Sequence, residues 1–117
     1  MSGRLSTHVL DISTGRPAEN VVIELWKRTE SKEMIKVLET KTNKDGRVDE
    51  PLLEGERMIV GSYQLLFHIG DYFNALEGES SPIFNQVPVQ FEIANEAENY
   101  HIPLLIAPGG YSTYRGS

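Results

Sequence analysis

The chain has 117 residues, enough for one hydrophobic core and not for two. Hydrophobic residues make up 39% and charged residues 24%, a globular mixture rather than a disordered one. The formal net charge is −6 and no block of Lys or Arg exists to neutralise phosphates, which argues against a nucleic-acid partner.

The predicted elements are mostly short strands. Leu5 to Ile12 reads as the first and ends at the turn signal Ser13-Thr14-Gly15-Arg16-Pro17. Asn20 to Lys27 follows, with Val21, Ile23 and Leu25 on one face at period two. Met34 to Thr42 leads into Asn43-Lys44-Asp45-Gly46, a hairpin-type turn whose glycine suits a positive φ. Tyr63, Leu65, Phe67 and Ile69 alternate with Gln64, Leu66 and His68 in the next strand. One segment reads as helical: Asp71 offers a cap and Gly78 a stop, which predicts about two turns near residues 72–78. Val87, Val89, Phe91 and Ile93 then alternate with Gln90 and Glu92, and His101 to Pro108 closes the series as an apolar run. Many short strands with one short helix predict an all-β fold, a two-sheet antiparallel sandwich, with residues 1–117 forming a single domain.

Cysteine is absent, which excludes disulfides, thiolate catalysis and cysteine-bound zinc and leaves the compartment open. The start, MSGRLSTHVLD, has no apolar h-region, and the longest apolar stretch, Ile102 to Ala107, is too short to span a bilayer. Arg115-Gly116-Ser117 is not a peroxisomal address, so a cytoplasmic location without membrane association is the expectation.

Few residues offer chemistry. By alternation His8 shares a face with Ser6 and Leu10, and His101 shares one with Pro103 and Leu105. Taken singly, each reads as a satisfied structural or surface histidine. As a pair converging on a pocket, they could exchange protons with a water and a leaving nitrogen near neutral pH. His68 has no neighbours that suggest a site. Arg47, after Asp45-Gly46, is either a solvated turn residue or a fork of donors for a carbonyl or enolate-like oxygen. Tyr114, Arg115 and Ser117 read either as a frayed end or as a ligand-facing one, with the tyrosine ring a stacking surface for a planar heterocycle. No phosphate loop, HExxH, EF-hand or GxSxG pattern is present. Two histidines without a third ligand make metal the weaker reading, and no metal or cofactor is expected.

These residues sit in stretches with a family likeness. LSTHVLDISTGRPA, TNKDGRVDEPLL, GSYQLLFHIGDYF and YHIPLLIAPGGYSTYRGS together resemble the 5-hydroxyisourate hydrolases of the transthyretin-related family along nearly the whole chain. The first and last blocks are the specific ones, since other prealbumin-like sandwiches share the middle two. The chain departs from the pattern at Pro82-Ile83-Phe84-Asn85-Gln86 and has Asn99 where a histidine is frequent. The resemblance implies an eight-stranded sandwich that assembles as a homotetramer, with active-site clefts where dimers meet. It also implies hydrolysis of 5-hydroxyisourate in urate degradation. His8, Arg47 and His101 then match the catalytic positions, and His8, Arg47, Tyr114, Arg115 and Ser117 the substrate-binding ones. Transthyretins, carriers with the same fold, lack the Tyr-Arg-Gly-Ser ending and replace the histidines and the arginine. For the groups to meet, the first strand and the last two must be neighbours in one sheet.

Overall fold

A computed structural model describes residues 3–76 and 81–117. Within them the strands are β1 (Arg4–Asp11), β2 (Arg16–Pro17), β3 (Val22–Arg28), β4 (Met34–Lys41), β5 (Leu53–Glu54), β6 (Gly61–His68), β7 (Gln86–Ile93), β8 (Tyr100–Ala107) and β9 (Gly110–Thr113). One α-helix, α1 (Ile69–Ala75), and a single 3-10 turn at Gly55–Arg57 complete the elements. The expected two-sheet sandwich is present. Two of the nine strand segments are only two residues long.

One sheet has the order β2-β1-β8-β9, with β5 also on β1, and the other runs β4-β3-β6-β7. The required adjacency of β1, β8 and β9 is therefore met. Every pairing is antiparallel except β1 with β8, which is parallel and joins Ser6 to His101, His8 to Pro103 and Leu10 to Leu105. A parallel pair needs a crossover, and here the chain passes through the whole opposite sheet between the two strands.

Period-two alternation builds the core. Leu5 and Val9 of β1, Ile23 and Leu25 of β3, Leu65 and Phe67 of β6, and Leu104 and Ile106 of β8 are fully buried between the sheets. Burying the inner face leaves Ser6, His8 and Leu10 on the outer face of β1. Thr7 points inward and is satisfied there, donating its hydroxyl to the Ile102 carbonyl at 2.7 Å. At the far end of β1, buried Asp11 accepts from the Ser13 N–H at 2.9 Å and from the Tyr72 hydroxyl at 2.8 Å, fastening α1 to the sheet. Burial, and then the Asp11 carboxylate, push the Tyr72 phenol well above its ordinary value.

Two expectations need correction. The helix begins at Ile69, which alternation places in a strand, and Asp71 lies in its first turn rather than at its cap. Ile69 and Phe73, four apart and both buried, anchor the helix to the core, and that burial outweighs the capping preference of Asp71. Glu77 and Gly78, at the predicted helix end, lie outside the described residues. The Asn43–Gly46 turn does not close a hairpin. It carries the chain from β4 in one sheet to the β1 edge of the other.

Candidate active site

The β1 edge facing away from β8 is covered in three pieces. Glu54 and Leu53 pair with Arg4 and Leu5, Arg47 bridges His8, and Arg16 and Pro17 pair with Asp11 and Leu10. Arg47 is thus set beside His8 by the edge of a sheet, while remaining exposed. The turn that delivers it is stiff. Asn43 Oδ1 accepts from the Asp45 N–H at 2.9 Å and the Arg47 N–H at 3.2 Å, and the Gly46 N–H donates to the Asn43 carbonyl at 2.9 Å. Buried Thr42 ties its base down by accepting from Val21 N–H at 2.9 Å and donating to the Ala18 carbonyl at 2.6 Å.

Gly46 makes the docking possible. Its φ is +73°, as the sequence leads one to expect, and its carbonyl accepts the Val9 N–H at 2.8 Å. A Cβ there would collide with the Val9 carbonyl oxygen and lie 3.2 Å from Cδ2 of His8. Any side chain at 46 would therefore lift Arg47 off the strand.

His8 and His101 lie on the same outer face of adjacent parallel strands, two residues out of step. Standard strand dimensions set their Cα atoms about 8 Å apart, a span suited to a flat ring held between them. Both imidazoles are half-buried. Burial first, and then the charge of Arg47, hold His8 below the ordinary imidazole value, against an opposing backbone hydrogen bond and charge from Asp45. His101 is held down by burial, by Arg47 and by His8. The guanidinium thus acts on both rings and favours their neutral forms, the state in which an imidazole can accept a proton.

The last residues return to this face. β9 pairs Thr113 with Leu104, and the same register carried onward places Gly116 opposite His101, where its N–H donates to the His101 carbonyl at 2.7 Å. Between them, the position facing Tyr114 is Pro103, which has no N–H to give, so regular pairing lapses at Tyr114 and Arg115. The Pro103 carbonyl is taken by the Thr113 hydroxyl at 2.7 Å. Tyr114 is 59% exposed, and Ser117 is exposed as well.

Within this chain Arg115 makes its contacts away from the imidazoles. Its Nη2 donates to the Asn99 carbonyl at 3.0 Å and reaches Glu98 at 3.4 Å, and its guanidinium lies 4.5 Å from the Tyr100 ring centroid. Asn99 also accepts the Arg4 N–H on Oδ1 at 3.0 Å and so ties the starts of the neighbouring strands β1 and β8 together. His68 belongs to the opposite sheet, where Nε2 lies 2.5 Å from Glu24 Oε2 and Trp26 Nε1 donates to the same carboxylate at 3.0 Å. It is a satisfied histidine, as the sequence suggests.

Two further contributors, Ser6 and Gly116, carry no signal of their role in the sequence pattern. Ser6 Oγ lies 2.9 Å from Nδ1 of His101, and Gly116 packs on the opposite edge of that ring. Alternation places Ser6 on the face of His8; only the parallel register places it against His101.

Two imidazoles kept neutral beside one guanidinium can activate a water, protonate a leaving group and stabilise an oxyanion, the requirements of amide hydrolysis. Residues 5–116 match the model of the HIUase/Transthyretin family, and the chain belongs to that family. It is 50% identical to the 5-hydroxyisourate hydrolase of Halalkalibacterium halodurans over the full length of both chains. Among solved structures it resembles Klebsiella pneumoniae 5-hydroxyisourate hydrolase at a TM-score of 0.80 and 36% identity, covering 98% of this chain and 94% of that one. It also superposes on (S)-allantoin synthase at a TM-score of 0.89 and 38% identity, covering 99% of this chain and 44% of that longer one.

Proposed function

We propose that this protein hydrolyses 5-hydroxyisourate to 2-oxo-4-hydroxy-4-carboxy-5-ureidoimidazoline, a step of urate degradation. The observation that carries the reading is the placement of His8 and His101 on one sheet face with Arg47 acting on both through its charge. A water gives up a proton to one imidazole and adds to the ring carbonyl carbon. Arg47 stabilises the oxyanion, the C–N bond breaks, and the proton taken from water is passed through the imidazole pair to the departing nitrogen. Tyr114 stacks on the ring, while Arg115 and Ser117 shape and orient the site. A non-catalytic carrier would leave the two imidazoles and Arg47 without a task. Freshly generated 5-hydroxyisourate, followed by ultraviolet absorbance, tests the reading: the protein should accelerate decay well above the spontaneous baseline, and a rate equal to that baseline refutes it.

The pH dependence follows from the same groups. Protonating the base removes activity, and both histidines are held below the ordinary value of 6.5. The acid limb of the catalysed rate is therefore expected to be centred below 6.5. An acid limb centred above 6.5 would contradict this.

Homotetramer assembly in the cytoplasm completes the proposal. Edge strands β7 and β9 leave backbone groups unpaired within one chain, and Ile83 (75% exposed) and Phe84 lie near Tyr111 of β9, the two rings in edge-on contact at 5.2 Å. Sedimentation at micromolar concentration should give about four times the 13.2 kDa chain mass; a stable monomer would rule out a cleft shared between subunits. No helix among the described residues is long and apolar enough to cross a membrane.

A further inference from the structure

His101 is flanked across the sheet on both sides. On β1, Ser6 stands directly opposite it in the parallel register, with Oγ 2.9 Å from Nδ1. On the other side Gly116 bridges its backbone, and a Cβ built on Gly116 would lie 2.5 Å from Cδ2 and 3.2 Å from Cγ of the ring. A half-turn of the imidazole about Cβ–Cγ would set a carbon against the Ser6 hydroxyl and lose the hydrogen bond. The ring therefore has one preferred orientation, in which Nδ1 is engaged and Nε2 is left free for substrate.

The identity of the partner matters as much as its position. A carboxylate beside Nδ1 would hold a proton there and favour an imidazolium. A hydroxyl can donate to the bare lone pair of a neutral ring, which then carries its own proton on Nε2. This suits the neighbours of His101, since Arg47 and His8 face it from the β1 side and would repel a second positive charge.

We propose that Ser6 is a positioning residue: its hydroxyl donates to Nδ1 of His101 and, with Gly116 closing the opposite edge, holds that imidazole as the Nε2–H tautomer. On the hydrolase reading, His8 is then the base that takes a proton from water, and the Nε2–H of His101 donates a hydrogen bond to the departing nitrogen. Proton flow is balanced, since the proton His8 takes from water is returned to that nitrogen as the C–N bond breaks, and both rings end neutral.

Two-bond proton–nitrogen correlation spectra of the full chain, taken at about pH 8 where imidazoles are neutral, read each tautomer directly. The His101 signals are those lost in His101→Gln. The wild-type ring should carry its proton on Nε2. Ser6→Ala should give mixed tautomers and lower kcat about tenfold with KM changed less than about twofold, and Ser6→Thr should regain most of the lost rate. Gly116→Ala, which forces the ring aside, should shift the same His101 signals while leaving those of His68 in place. A wild-type His101 protonated on Nδ1, or a folded Ser6→Ala protein with unaltered kcat, overturns the proposal. Absence of any wild-type turnover would instead sink the hydrolase reading, and the tautomer measurement would still decide the role of Ser6 on the ring.

Discussion

Deleting Tyr114 to Ser117 is expected to abolish most turnover of 5-hydroxyisourate while leaving the sandwich folded. The deleted residues contribute no member of the buried core, and β9 ends at Thr113, so the sheet keeps its last regular pair. What is lost is local. The Gly116 N–H leaves the His101 carbonyl, the ring loses its neighbour at Cδ2, and the exposed Tyr114 ring no longer offers a stacking face. Arg115 also releases Asn99, which loosens the start of β8 just before His101. Together these changes misplace one imidazole and remove a substrate contact, and a misplacement of about 1 Å can cost on the order of a hundredfold. The measurements are the catalysed rate and a thermal melt by circular dichroism. A well-folded truncated protein that works at the full rate would leave the ending without a role in catalysis.

Replacing His8, His101 or Arg47 by alanine should each lower the rate about a hundredfold or more, the usual scale for a general acid–base group or an oxyanion donor. That corresponds to about 2.7 kcal/mol of transition-state stabilisation. All three side chains lie on the outer face or edge of the sheet, so stability should change little. The three losses should not add, because the groups act on one proton path. Arg47→Ala has a second signature. It removes a positive charge that helps depress both histidines, so the acid limb of its residual activity should move to higher pH than in the wild type. Steady-state kinetics across pH checks both effects, and a rate within about threefold of wild type for any one variant would remove that residue from the mechanism.

The faces of the strands are legible in the sequence. Alternation in RLSTHVLD and in HIPLLIAP assigns His8 and His101 to strand faces correctly, because side-chain direction along a strand depends only on the local pleat. Gly46 announces its positive φ for an equally local reason, since only its missing Cβ makes that conformation inexpensive. The helix start is not legible in the same way. Ile69 and Phe73 find their partners across the core, and no local cap signal reports that.

The site itself belongs to the tertiary structure. The sequence alone leaves open whether Arg47 closes a hairpin or lies along β1, whether Ser6 serves His8 or His101, and whether Arg115 meets the imidazoles or Asn99. Each of those outcomes depends on which strands become neighbours and in which register. Ser6 and His101 are 95 residues apart, and one step of slip between β1 and β8 would turn one of them to the other face. That register is chosen by the whole core, through Leu5, Val9, Leu104 and Ile106 packing against the opposite sheet, and not by the residues that carry the chemistry. The sequence therefore determined the groups and their faces, and only the packing of the two sheets decided which of them meet.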